Sequence, residues 1–226
     1  MERFKKFVFT FALVVCFSIA FSGSVWAVKD NSKMSAGIFT GYNWSTADEE
    51  AVKGYDDTEL DSSAILGGSF FYAPQDSKGF GIEAVIETFS MDLNSDSYEI
   101  GTLEMVPMMA LLKYQGYPSK KIGFAGHADV GIGICFNNFE KGDALNDIEH
   151  YTRAHVNVDT DESFIFQLGG GVDYFITPQF SLNLDGKWMY NNVPIKVSAA
   201  GYRIDEFDEI DASNLQLLAG VKYWIK

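Results

Sequence analysis

Hydrophobic and polar residues alternate along much of the chain, and most cleanly over 180–190, Phe-Ser-Leu-Asn-Leu-Asp-Gly-Lys-Trp-Met-Tyr. One face carries Phe180, Leu182, Leu184, Gly186, Trp188 and Tyr190. The other carries Ser181, Asn183, Asp185, Lys187 and Met189. A period of two is the mark of a β-strand with one apolar and one polar face. Its length matches the roughly 9–11 residues that a tilted strand needs to cross a bilayer. Aromatics stand at both ends of the apolar face with aliphatics between them, as expected where the two ends meet water–lipid interfaces.

Seven further stretches follow the same pattern: 33–44, 62–73, 80–91, 100–114, 122–136, 162–176 and 213–225. In the stretch 100–114, Pro107 removes one ladder hydrogen bond and predicts a bulge. Glu104 falls on its apolar side, near one rim. The connections after the second, fourth and sixth strands are short and rich in turn formers, such as Pro74 to Gly79 and Thr177-Pro178-Gln179. Most of the others are long and acidic. The first holds Asp48, Glu49, Glu50, Asp56, Asp57, Glu59 and Asp61; the longest is predicted over 137–161, and another over 191–211. Short turns at one end and long loops at the other give the fold class: an all-β, eight-stranded antiparallel transmembrane β-barrel.

Period two does not by itself say which face is outside. A lipocalin-like secreted barrel would put the apolar face inward. Charge placement decides. Glu83, Glu87, Lys113, His127, Asp129, Asp173, Asp185, Lys187 and Lys222 all lie on polar faces. A lysine at mid-strand facing lipid costs about 2–4 kcal/mol, whereas inside a narrow lumen acids and bases pair. The apolar faces also form two aromatic girdles. One has Tyr72, Phe80, Tyr114, Phe124, Tyr174, Phe180 and Tyr223; the other has Tyr42, Trp44, Phe136, Phe164, Trp188 and Tyr190.

The 226-residue chain opens differently. Arg3, Lys5 and Lys6 precede an apolar run, and Val25-Trp26-Ala27 ends it with a small residue. This predicts a secretory signal peptide over 1–27, with the outer-membrane barrel over 28–226. Against a membrane anchor, the run is short and is followed by Ser22-Gly23-Ser24 rather than by basic residues. Against a lipoprotein, the residue before Cys16 is not small. Removing the signal leaves Cys135 alone, so no intrachain disulfide forms. The net charge of -14 argues against nucleic acid as a partner.

The inward charged residues are the first candidate site: a polar network that seals the lumen, or a gate beneath a ligand cavity. Phe89, Met91, Met105 and Met109 face inward toward the long-loop end and make a candidate apolar cavity. His150 and His155 sit beside Asp147 and Glu149 in a loop whose spacing fixes no metal geometry. His127 with Asp129 supplies a base and an acid, yet no serine is placed as a nucleophile. No enzyme activity, cofactor or metal site is expected. The acidic loops are expected to form a solvated rim, with outer-membrane lipids and lipopolysaccharide as partners.

The run Gly169 to Pro178, followed by Phe180 to Asp185, resembles the penultimate hairpin of the OmpW family of small outer-membrane proteins. Val106-Pro107 leading to Lys113-Tyr114, and the stretch from Gly126 to Phe136, are similar to that family too. Gly220 to Ile225 resembles the terminal assembly signal of such barrels, departing by the absence of a final Phe and the addition of Lys226. The resemblance implies an eight-stranded barrel in the bacterial outer membrane and the passage of small hydrophobic molecules. It implies no catalytic residue. The alternative is a sealed barrel that acts through its acidic extracellular loops.

Overall fold

The computed structural model describes residues 33–47, 51–52, 58–75, 77–95, 98–117, 123–199, 202–204 and 209–225. The predicted signal segment 1–27, and Asp48, Glu49, Glu50, Asp56 and Asp57 of the first loop, lie outside them. In chain order the elements are β1 (Lys33–Ser45), β2 (Thr58–Leu60), β3 (Ser63–Ala73), β4 (Phe80–Ser95), β5 (Tyr98–Gln115) and β6 (Gly123–Lys141). They continue with α1 (Asp143–Thr152), β7 (Val156–Thr160), β8 (Ser163–Phe175), β9 (Phe180–Ala199), β10 (Tyr202–Ile204), β11 (Glu209–Asp211) and β12 (Asn214–Ile225).

Eight long antiparallel strands make a closed ring in the order β1, β3, β4, β5, β6, β8, β9, β12. The last seam pairs β12 with β1 from Met34 opposite Ile225 to Ser45 opposite Asn214. Closure leaves no unpaired edge in the ring, which is what permits sheet in a bilayer. Because side chains alternate across each strand, the register fixes both faces. Ile38, Leu112, Ile132, Leu168 and Leu182 are exposed on the outside, and every member of both predicted aromatic girdles is exposed as well. Girdle rings from neighbouring strands touch: Phe80 with Tyr114 at 5.0 Å, Phe124 with Tyr174 at 4.7 Å and Phe180 with Tyr223 at 5.1 Å between centroids.

Three sequence expectations change. Pro107 causes no bulge. The register of β4 against β5 is the same on either side of it, with Ile86 opposite Met108 and Phe89 opposite Met105, and the irregularity falls instead at Leu93/Asn94. The stretches predicted as long loops over 137–161 and 191–211 are largely ordered. β6 runs on to Lys141, α1 and β7 follow, and β9 runs on to Ala199. Val193, Ile195 and Val197 are buried at every second position, so the strand period continues through Pro194. α1 begins with Asp143 in its first turn, favourable beside unpaired N–H groups, and ends at Arg153 in the left-handed region with φ 56°. Only Leu145 of its apolar residues packs on the core, so its helical period was faint.

The short strands cap the long-loop end by prolonging its wall. β2 pairs with β4, while β7, β10 and β11 pair with β9. Val52 bridges Ile210, and Asp211 N–H donates to Ala51 O at 2.8 Å. Ala51, Val52, Ile210 and Ala212 are almost fully buried beneath this cap. Glu104, out of place on an apolar face, is accounted for by the longer strands. Phe136 of the girdle lies opposite Val106, Asn138 lies opposite Glu104 one step further out, and Asn138 Nδ2 donates to Glu104 at 3.2 Å.

Candidate functional site: the layered lumen

The inside of the barrel is stratified. At the short-turn end Phe71, Ala73, Ala125, Phe175 and Trp224 form one apolar cluster, with Tyr117 packed against it. The Trp224 ring lies 5.3 Å from Phe175 and 5.8 Å from Tyr117, and its Nε1–H donates to Ser181 Oγ at 2.9 Å. An indole with a satisfied N–H is a stable plug for a narrow mouth.

Above it lies the charged layer. All nine sequence-predicted network residues are buried, none more than 7% exposed. Lys113 Nζ meets Glu83 Oε2 at 2.8 Å, and Lys187 Nζ lies 3.5 Å from Glu87. His127 stands between two carboxylates, Nδ1 at 3.1 Å from Asp173 and Nε2 at 2.6 Å from Asp185. Lys222 reaches the other oxygen of Asp173 at 3.1 Å. Asp129 has no ion pair among the described residues; Gln167 Nε2 donates to it at 3.2 Å. Amides complete the layer: Gln115 on Asp173, Asn183 on Asp185 and Gln216 on Glu87.

The glycine run of β8 makes room for these groups. A Cβ at Gly171 would stand 2.2 Å from Leu184 O and 2.5 Å from Asp185 Oδ1; one at Gly169 would crowd Lys187 and Asp129. A side chain there would displace the ion pairs.

The half nearer the cap is apolar. Phe89, Met91, Met105 and Met109, the predicted cavity residues, are buried and belong to one cluster with Ile65, Leu103, Ile165, Met189 and Leu218. Met91, Met105 and Met189 have no exposure, so side chains fill this chamber. Asn191 Nδ2 lies 3.5 Å from the Met105 sulfur, and Ser163 Oγ donates to Asn191 Oδ1 at 2.6 Å.

Sequence reasoning placed Asn183 and Met189 on the inward face but did not count them, Trp224, Gln115, Gln167 or Gln216 among the site residues. The signal was available, since each falls on the inward parity of a strand whose charged members had been read. The loop histidines do not join this site. His155 Nδ1 lies 3.1 Å from Glu149 Oε1, which also accepts from Lys141 Nζ and Val156 N–H at 2.6 Å each. Those two donors hold the Glu149 carboxyl below the usual carboxylate range. Among the described residues no three His, Cys, Asp or Glu side chains converge to hold a metal.

A closed antiparallel ring of eight strands, uncharged and aromatic-girdled outside and ionic within, defines a small transmembrane β-barrel of the outer-membrane type. Solved structures agree on the fold. OprG of Pseudomonas aeruginosa superimposes with a TM-score of 0.65 at 14% identity, over 87% of this chain and 97% of that one. The outer-membrane protein AlkL gives 0.56 at 12%, over 89% and 93%, and outer membrane protein W of E. coli gives 0.50 at 16%, over 88% and 100%. No protein-family model matches the sequence, and no curated protein matches it significantly.

Proposed function

We propose that this barrel, set in the outer membrane, takes up small hydrophobic molecules and holds them in the apolar half of its lumen. One observation carries the reading. Four inward methionines, Met91, Met105, Met109 and Met189, cluster with Phe89 and Ile165 between the cap and the charged layer. Methionine is flexible and polarisable, so a chamber filled with it reshapes around an apolar guest at little cost. The ion pairs beneath bar free ions, because a guest crossing that layer has to break buried pairs. The acidic rim then faces the lipopolysaccharide headgroups.

A second reading rests on the packing itself. The charged layer and the Trp224 cluster fill one end, and the buried Ala51, Val52, Ile210 and Ala212 pack into the other. On that reading the barrel is a sealed support for its acidic loops. The test is entry of a small apolar dye and of a small charged dye into proteoliposomes. Apolar entry above empty liposomes, reduced by Met105→Asp, supports uptake. A folded, heat-modifiable barrel that admits neither dye and binds no apolar probe leaves the sealed reading standing.

A further inference from the structure

Four buried amides around the methionine chamber are each tied down at one end and unpaired at the other. Asn43 Oδ1 accepts from Ser63 N–H at 2.8 Å, while its Nδ2 has no partner among the described residues. Asn214 Nδ2 donates to Ala212 O at 3.0 Å, Gln167 Nε2 to Asp129 at 3.2 Å and Gln216 Nε2 to Glu87 at 3.2 Å. The carbonyl oxygens of those three are unpaired among the described residues. Asn43, Gln167 and Asn214 have no exposure and Gln216 has 3%. The anchored ends fix which free atom is donor and which is acceptor, so an amide flip does not exchange them.

The register groups them. Met189 lies opposite Asn214 on one side and opposite Gln167 on the other. Asn43 lies opposite Gln216 on the β1–β12 seam, one step deeper and beside Lys187, and the free donor of one does not bond to the free acceptor of the other. Met189 itself is therefore flanked by two free acceptors, the carbonyl oxygens of Asn214 and Gln167. Buried polar atoms are rarely left unpaired without a reason.

We propose that the chamber is built for an uncharged amphiphile: an alkyl chain ending in a hydroxyl or primary amide, whose head donates to the free carbonyl oxygens of Gln167 and Asn214 where Met189 now packs. This rests on the uptake reading and narrows its ligand. A primary amide donates twice and a hydroxyl once, which is what two free acceptors call for. A pure hydrocarbon would leave both unpaired. A carboxylate only accepts, and it would meet two carbonyl oxygens and the Asp129 carboxylate bonded to Gln167.

The test titrates decanol, decane and decanoate into the full barrel in lipid nanodiscs and follows methionine methyl NMR. Met108 points to lipid, so its methyl reports partition into the bilayer; Met105 and Met189 report the lumen. Decanol is expected to move the lumen methyls at about one-tenth the concentration needed for decanoate, and below that needed for decane. Asn214→Leu with Gln167→Leu is expected to erase the preference for decanol over decane while decane still binds. If that pair of substitutions unfolds the barrel, the ranking of the three ligands on the unaltered chain still decides. Equal response to decanol and decane, or a preference for decanoate, overturns the amphiphile assignment and leaves uptake intact. Shifts at Met108 alone, with the lumen methyls unmoved by all three, overturn the uptake reading itself.

Discussion

The two halves of the lumen solve the same packing problem by opposite means. Near the short turns, space is filled by long charged side chains that must pair; near the cap, it is filled by methionine, leucine and isoleucine that need only fit. The first arrangement is rigid, since its ions are held by specific opposites and Asp129 by the Gln167 amide. The second tolerates exchange, since dispersion contacts are many and individually weak. A barrel with a rigid septum and a pliable chamber is suited to hold an apolar guest without becoming a pore for ions.

The comparison breaks most sharply at Lys113. Lys113→Met removes the partner of a fully buried Glu83 and is expected to destabilise the barrel by about 3–5 kcal/mol, as for other stranded buried charges. Lys113→Met with Glu83→Leu removes both charges at once and is expected to recover most of that loss. Urea titration followed by the heat-dependent gel shift measures both. If the single variant costs no more than the double, the layer is not held by pairing.

A charge on the other side of the same wall gives the next effect. Leu184 points to lipid midway between the girdle residues Phe180 and Trp188 of β9, and Leu184→Arg is expected to cost about 2–4 kcal/mol. Glu104→Arg lies one step beyond the girdle and is expected to cost roughly 0–1 kcal/mol. Equal costs at the two sites would remove the girdles as the markers of membrane depth.

The methionine chamber should respond to shape more than to stability. Met189→Leu conserves volume and is expected to cost less than about 1.5 kcal/mol, while weakening apolar-probe binding because leucine is stiffer. Unchanged binding together with unchanged stability would show that the methionines are plain filling.

Most of the ring was legible because a membrane barrel writes its two faces in opposite chemistry. Between the girdles the charges of β4, β5, β6, β8, β9 and β12 all fell on one parity, and that parity is the lumen. Legibility ended where the chain leaves the bilayer. There, no lipid demands an apolar outer face, so Val193, Ile195 and Val197 alternate with Pro194, Lys196 and Ser198, and the strand reads as a loop. Pairing was also beyond the sequence. Parity places His127, Asp173 and Asp185 inside, but only the registers of β6, β8 and β9 bring all three together. The bulge expected at Pro107 failed for a related reason: a missing N–H interrupts a ladder without requiring an extra residue.

The smallest effect lies in the cap, where Glu149 ties the last turn of α1 to Lys141 of β6 and to Val156 of β7. Its carboxyl is held below the usual range by those donors, so the folded form binds a proton less readily than the unfolded chain. The stabilisation is complete above the ordinary glutamate value of about 4.3 and is lost as the pH falls through the depressed folded value. Hydrogen exchange at the Val156 amide, corrected for its intrinsic pH dependence, should thus lose protection on acidification below about pH 4. Glu149→Gln keeps the shape and removes the charge, and it should bring exchange at neutral pH toward the acid behaviour with little further change on acidification. The barrel amides of β8 should be indifferent to the substitution, because the cap and the septum are held by separate groups. Protection at Val156 that stays flat from pH 6 to pH 3 in the unaltered chain would show that the cap is held by its apolar residues alone, with Glu149 a bystander.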